Sequence, residues 1–271
     1  MYRDLVAAKF GVSSMGRDIS NGGLPSSLEP LVFAFTGGGN VARGAREIFE
    51  LLPHKYVKVS ELEELKKVPG PHTCVYGVLV EQEDMVKLKA SASSDEKIEK
   101  AHYRKNPSEY EPIFHTKVGP YVNVLVNGMY WDQRYPRLLT KDQIKGMYAA
   151  GNDGLLALAD ISCDIGGSVE FLEKSTSVEK PYFNYDPRTD EVTDKIRSEG
   201  IAVMGVDILP SELPREASKH FGDALLPLLP EILGANGSAE GGGVGVELTN
   251  SCITAHGELM DNFRYIEQLK R

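Results

Sequence analysis

Residues 31 to 44, Leu-Val-Phe-Ala-Phe-Thr-Gly-Gly-Gly-Asn-Val-Ala-Arg-Gly, constrain the fold of this 271-residue chain more than any other stretch. An uninterrupted apolar run, Leu31 to Phe35, reads as a strand buried on both faces, the kind found in parallel sheets. Three consecutive glycines follow, and after them Val41, Ala45, Ile48, Phe49 and Leu52 recur at helical spacing as far as Pro53. Gly37 and Gly39 fit the first two places of G-x-G-x-x-G/A, and Ala42 fills the third. The spacing has a chemical reason. The first glycine permits a tight turn, the second lets backbone approach a pyrophosphate, and the third small residue lets helix and strand pack closely. The helix N-terminus adds N–H donors and a positive dipole end. A glycine triplet alone also suits a plain flexible turn; the strand before it and the helix after it favour a dinucleotide site.

The rest of the chain repeats strand and helix. Residues 2 to 19 have helical periodicity and lead into Gly22-Gly23-Leu24-Pro25. A second strand is expected at 56 to 60, ending in Ser60, with Ser60 and Glu63 as a capping box for a helix to Lys67. Further strands are expected at Thr73 to Val80, Tyr121 to Asn127, Leu155 to Ile161 and Ile201 to Leu209. Thr140 and Gln143 cap a helix to Ala149, and 169 to 187 reads as a small strand excursion. Ser211 and Pro214 open a long helix carrying Leu225, Leu228, Leu229 and Ile232. Gly234 to Gly245 is a glycine-rich break, followed by a short strand around Cys252 and a final helix through Leu269. Alternating strands and helices, with glycines at the first turn and polar residues at later strand ends, give a doubly wound parallel α/β sheet with helices on both faces.

Composition narrows the function classes. A net charge of −9 with no basic stripe argues against nucleic acid as a partner. Cys74, Cys163 and Cys252 are far apart and make no disulfide framework or C-x-x-C metal motif, which suits a reducing compartment. No apolar run approaches the roughly 18 residues of a membrane span, so no membrane role is expected. The six histidines, among them His102 and His115, show no ligand spacing, so no metal is expected. Residues 91 to 117 are rich in serine and charge; they read as a solvated insertion or a substrate lid. Asp164 follows a strand end beside two glycines, the edge where such sheets bind ligands, and an aspartate there also suits a local turn.

Four segments also carry a family resemblance. Thr36-Gly-Gly-Gly-Asn-Val-Ala-Arg-Gly-Ala45, Asn127-Gly-Met-Tyr-Trp131, Asp160-Ile-Ser-Cys-Asp-Ile-Gly-Gly-Ser-Val-Glu-Phe171 and Asp207-Ile-Leu-Pro-Ser-Glu-Leu-Pro-Arg-Glu-Ala217 resemble lysine-ketoglutarate reductase, the first part of the bifunctional alpha-aminoadipic semialdehyde synthases. More distantly the pattern is similar to alanine dehydrogenase. The resemblance implies a Rossmann-like domain and the reductive condensation of L-lysine with 2-oxoglutarate to saccharopine by an NADPH- or NADH-dependent oxidoreductase. It implies an upstream catalytic domain, a downstream saccharopine dehydrogenase domain, a mitochondrial or cytoplasmic rather than secreted protein, and room for a homo-oligomer. On that basis 1 to 28 is a helical lead-in, 29 to 244 the cofactor domain, and 245 to 271 a segment returning to the catalytic domain. The family places Gly37, Gly39, Asn40 and Val41 at the pyrophosphate and Ser60 at the adenosine ribose. Asn127, Gly128, Ile161, Ser162, Asp207 and Leu209 would line the nicotinamide side, and Asp164 would be the catalytic aspartate near the reacting carbon. Arg215 is either a substrate-carboxylate fork or structural. With Ser60 in place of an acidic residue, and Lys58 and Lys66 nearby, the expected cofactor is NADPH. A non-catalytic dinucleotide-binding module and an alanine dehydrogenase-like enzyme are the alternatives.

Overall fold

The computed structural model describes residues 2–90, 97–197, 199–234 and 245–270. The chain divides into two compact units, Met1–Glu212 and Leu213–Arg271. The first opens with α1 (Leu5–Gly22), β1 (Val32–Thr36), α2 (Asn40–Phe49), β2 (His54–Val57), α3 (Leu62–Leu65) and β3 (Val75–Val80). Next come α4 (Gln82–Met85), β4 (Val86–Leu88), α5 (Lys100–Lys105), β5 (Tyr110–Pro112), α6 (Phe114–Lys117), β6 (Val124–Asn127) and α7 (Lys141–Ala149). The unit closes with β7 (Ala157–Asp160), β8 (Tyr182–Asp186), β9 (Glu191–Thr193) and β10 (Ile201–Met204).

Eight strands form one sheet in the order β2-β3-β1-β6-β7-β10-β8-β9. The six from β2 to β10 run parallel, and β8 and β9 are added antiparallel at one edge. The α/β class, the parallel sheet and the strand positions expected from the sequence are therefore present. The strands carry the core: Val32, Ala34, Val78, Leu125, Leu158 and Val203 are at most 1% exposed. Each large apolar side chain so buried contributes about 1.5–3 kcal/mol, which is why these runs are continuous rather than alternating.

Aromatic packing seats α2 on the sheet. The Phe49 ring lies 5.2 Å from both Phe33 and Phe35 and 5.8 Å from Tyr56. Gly77 on β3 makes room for this cluster, since a Cβ there would meet the Tyr56 ring at 2.8 Å and the Phe49 ring at 2.9 Å. At α7 the expected capping box is present: Gln143 N–H donates to Thr140 Oγ1 at 3.2 Å, and Thr140 N–H to Gln143 Oε1 at 2.9 Å.

Several expected boundaries move. β2 ends at Val57, and Val59–Glu61 is a 3₁₀ turn in which Glu61 Oε2 accepts from Lys58 N–H at 2.7 Å. A capping carboxylate thus stops the strand before Ser60, which lies within the turn. The last parallel strand stops at Met204, short of Leu209. The described part of the expected solvated insertion, 97–117, is instead a packed element. β5 pairs with β4, Tyr103 and Tyr110 are buried edge to face at 4.9 Å, and Phe114 is fully buried in the main core.

In the second unit, α8 (Pro214–Leu225) and α9 (Leu229–Gly234) are separated by a 3₁₀ turn at Leu226–Leu228. Pro227 and Pro230, which have no N–H to give a helix ladder, account for the break in the expected long helix. Then follow α10 (Val246–Ser251), the hairpin β11 (Thr254–Ala255) and β12 (Glu258–Leu259), and a 3₁₀ segment at Asp261–Lys270 where a helix was expected. Most of the expected glycine-rich break, 235–244, lies outside the described residues.

Candidate functional site

The sheet changes winding direction at β1: β3 lies on one side and β6 on the other. The glycine turn leaves β1 at this point. Gly37 has φ +90°, and a Cβ on it would stand 2.6 Å from the carbonyl oxygen of Gly128, the residue that follows β6. Glycine is needed at 37 for the backbone conformation and for this close approach. Gly38 and Gly39 differ. A Cβ on either would meet nothing within 4 Å, and Gly39, the N-cap of α2, has an ordinary extended conformation (φ −86°, ψ −170°). The fold itself leaves that space free at the N-terminus of a ten-residue helix. Free backbone N–H groups and the positive end of a helix are what a pyrophosphate requires.

The turn opens on a cavity of about 530 Å³. Gly37 and Gly38 line it with Leu79–Glu81 from the end of β3 and Met129–Tyr130 from the loop after β6. Arg46, Lys100, Arg104 and Arg137 also face it. Among the described residues, four cations against one carboxylate, Glu81, suit a ligand of net negative charge. Asn40 and Val41 stand at the head of α2; Val41 is exposed, with its Cγ1 3.1 Å from where a Cβ on Gly128 would lie.

A buried polar chain braces the switch point. Thr36 Oγ1 donates to Asn127 Oδ1 at 2.7 Å, and Asn127 Nδ2 donates to Ser168 Oγ at 2.9 Å. Asn127 is fully buried, so its side chain holds β1, β6 and the loop after β7 in register and leaves Gly128 at the surface of the site. Asn127 pairs with Asp160 across the sheet. Asp160 Oδ1 accepts from Ser162 N–H at 3.1 Å, Ser162 Oγ at 2.6 Å and Cys163 N–H at 3.3 Å, while buried Oδ2 has no partner. Burial raises the Asp160 carboxyl above its ordinary value against these hydrogen bonds.

Cys163 follows Ser162 directly and lies near Asp160, Asp164 and Asp207. Its Sγ donates to Gly205 O at 3.0 Å, and its φ of +51° turns the chain after Ser162. Burial first, then the charges of Asp207, Asp160 and Asp164, push the thiol pKa up. The structure thus brings Ile161, Ser162, Asp164 and Asp207 to the carboxyl ends of β7 and β10, with Leu209 opening the 3₁₀ turn just after. Asp164 is exposed. Ser60 opens onto a second hollow beside β2, which adjoins the cavity of the glycine turn through Leu79 and Glu81, residues that line both. Arg215 falls in the first turn of α8 in the second unit.

Sequence reasoning passed over Glu81, Arg46, Asp160 and Arg137. For Asp160 the signal was present, an aspartate ending a buried strand. For Arg137 it was the neighbouring tryptophan. The Arg137 guanidinium lies 4.9 Å over the Trp131 ring and donates to the carbonyl oxygens of Gly166 and Gly167. Trp131 Nε1 donates in turn to Tyr135 O and Pro136 O, each at 3.1 Å. The Asn-Gly-Met-Tyr-Trp segment therefore ties the loop after β6 to the loop after β7.

A glycine turn at the switch point of a parallel sheet, heading a helix and facing a cation-lined cavity, defines a dinucleotide-binding α/β domain. Residues 123–262 match the family described as "Alanine dehydrogenase/PNT, C-terminal domain", and the chain belongs to that family, an NAD(P)-binding dehydrogenase domain. Over its whole length it is similar to alpha-aminoadipic semialdehyde synthase of Arabidopsis thaliana, 40% identical over 285 residues, covering 100% of this chain and 26% of that protein. It is 34% identical over 284 residues to the mitochondrial alpha-aminoadipic semialdehyde synthase of Mus musculus, covering 99% of this chain and 30% of the mouse protein. These relatives bear out the resemblance carried by the four motifs. The chain spans 26–30% of their length. A solved L-alanine dehydrogenase is 16% identical over 85% of this chain and 54% of its own, with a TM-score of 0.41. Among the described residues no helix is long and apolar enough to cross a membrane.

Proposed function

We propose that this chain is the dinucleotide-binding part of an oxidoreductase of lysine degradation that reductively condenses L-lysine with 2-oxoglutarate to saccharopine. The observation that carries the cofactor half is the free space over Gly38 and Gly39 at the head of α2, beside a turn whose first glycine alone is required by the fold. The substrate half rests on the 40% identity to a protein named alpha-aminoadipic semialdehyde synthase.

In this reading the N–H groups at the start of α2 hold the pyrophosphate, and Arg46 and Arg104 balance its charge. The nicotinamide end lies toward Gly128, Ile161, Ser162, Asp207 and Leu209, and the bound cofactor supplies the hydride. Asp164 holds that end or relays a proton through water. The expected dinucleotide is NADPH, on the strength of Ser60 in place of an acidic residue with Lys58 and Lys66 nearby; the strand itself ends at Val57, three residues before Ser60. A catalytic domain upstream and a saccharopine dehydrogenase domain downstream accord with the greater length of the relatives.

The test is calorimetric titration of this chain with NADH and NADPH, together with cofactor oxidation by the full-length protein given L-lysine and 2-oxoglutarate. Saturable binding and saccharopine formation are expected. Failure to bind either dinucleotide would remove the cofactor half, and binding without saccharopine formation by the full-length protein would remove the substrate half.

A further inference from the structure

Arg137 follows Met129 and Tyr130 on the loop after β6 and lines the cavity of the glycine turn with them. Its Nη1 donates to the carbonyl oxygens of both Gly166 and Gly167, and its guanidinium lies 4.9 Å over the Trp131 ring. The backbone beyond it is fixed too, since Leu138 N–H and Leu139 N–H donate to Ser168 O at 2.8 and 3.1 Å. A guanidinium has five N–H donors in one rigid plane. Those on Nη1 are used by the two carbonyls. Those on Nε and Nη2 have no partner among the described residues and are not sealed from solvent, and Arg137 makes no ion pair among those residues. The unused Nε–Nη2 edge is a fork that meets a carboxylate through two parallel hydrogen bonds.

We propose that Arg137 binds a carboxylate of the oxo-acid substrate, with Trp131, Gly166 and Gly167 holding its fork ready. The inference rests on the reading of this chain as the dinucleotide-binding part of a saccharopine-forming enzyme, with the nicotinamide end toward Gly128. The negative charges of a nicotinamide dinucleotide lie at its pyrophosphate and adenosine end, and its nicotinamide end offers none. A cation fixed between the loops after β6 and β7 therefore meets the charge of a second molecule. 2-Oxoglutarate brings two carboxylates and no cation, whereas L-lysine brings its own ammonium groups. Holding the guanidinium beforehand also removes the rotamer entropy that a free arginine would lose on binding.

The experiment is calorimetric titration of the full-length protein with 2-oxoglutarate, after loading with oxidised dinucleotide so that no hydride is transferred. Wild type, Arg137→Met and Arg137→Lys are compared, with dinucleotide affinity, KM for each substrate and kcat measured on the same proteins and circular dichroism as the folding check. Arg137→Met is expected to weaken 2-oxoglutarate about tenfold to a hundredfold, the scale of a hydrogen bond to a charged group. Its KM should rise in step, while dinucleotide affinity and the KM for L-lysine stay unchanged. Lysine keeps the charge but has no planar fork to hold both carbonyls and a carboxylate, so Arg137→Lys should recover only part of the loss. If Arg137→Met does not fold, Arg137→Lys carries the test, with a weakening of 2-oxoglutarate alone expected. An arginine that only ties the loops would move dinucleotide affinity, L-lysine KM and thermal unfolding together. That pattern, or unchanged 2-oxoglutarate affinity in a folded variant, would overturn the assignment of Arg137 and leave the proposed function standing. A wild type that binds dinucleotide but neither binds 2-oxoglutarate nor turns it over would remove the substrate reading, and the inference with it.

Discussion

Gly37 and Gly128 meet backbone to backbone, so closely that a Cβ on Gly37 would stand 2.6 Å from the Gly128 carbonyl oxygen. Two loops from neighbouring strands are in contact there with no side chain between them, and the turn is set by the fold before any ligand arrives. Gly39, two residues on, carries no such constraint. The two glycines should therefore separate stability from binding. Gly37→Ala is expected to cost about 1–3 kcal/mol, from the clash and a strained φ. Gly39→Val should lower thermal unfolding by only a few degrees, since valine is a poorer N-cap than glycine by about 1 kcal/mol, worth about 2–4 °C in a domain of this size, and abolish dinucleotide binding. Unchanged affinity in Gly39→Val would show that the pyrophosphate lies elsewhere.

Phe114 tests whether the charged segment belongs to the core. Its ring is fully buried, and Ile113 and Val118 beside it are buried too. Phe114→Ala is expected to cost about 3–5 kcal/mol in urea unfolding, the range for a deleted core aromatic. A cost below about 1 kcal/mol would mean that this segment is peripheral after all.

These residues also show what was legible in the chain. The run into Gly37 displayed a buried strand, a turn and a helix, because each has a local signature. The braces at Thr140 and Gln143 were legible for the same reason. The segment around Phe114 was misread because serine and charge dominate its average, while a few well-spaced aromatic and apolar residues decide its packing. The exchange of β2 and β3 was illegible for a different reason. Periodicity gives strands in sequence, whereas their neighbours follow from which face each buries: β2 has exposed Lys55 and Tyr56 and takes the sheet edge, while β3 is buried at five of six positions and goes inside. Ser60 therefore follows the edge strand β2, and the strand beside β1 is β3.

Asp160 should give the domain a particular pH response. Burial raises its native carboxyl pKa above the ordinary 3.8, so between 3.8 and the raised value the folded chain holds more protons than the unfolded chain. Stability contributed by this group is complete below the unfolded pKa and is lost as pH rises through that window. Asp160→Asn keeps the Oδ1 acceptor for Ser162 and Cys163 and removes the ionisation, so it should match or exceed wild-type stability at pH 7 and flatten the acid-side slope. Asp160→Ala removes the acceptor as well and should cost about 1–3 kcal/mol. Denaturant unfolding of both variants from pH 4 to 8 is the measurement, and a destabilised Asp160→Asn at pH 7 would show the carboxylate to be ionised and needed.

The last prediction concerns turnover by the chain alone. Reductive condensation needs a hydride donor, a carbon held against it, and groups that move protons as the C–N bond forms and water leaves. In the proposed reading the turn at Gly37–Gly39 cradles the donor. Proton handling is weakly served at the carboxyl ends of β7 and β10. Asp160 is buried with a raised pKa, the Cys163 thiol is held neutral toward Gly205 O, and Asp164 is exposed. A single positioned acid–base group is worth about 10²–10⁴ in rate, and orientation of two substrates up to roughly 7–11 kcal/mol of barrier. If the remaining length of the relatives holds those groups, the isolated chain binds a nicotinamide dinucleotide and forms no saccharopine. Cofactor oxidation followed with L-lysine and 2-oxoglutarate both saturating should stay at background for this chain and rise for the full-length protein. Comparable turnover by the two would place the proton-moving groups within these 271 residues, and Asp164→Asn would then be the first variant to abolish it.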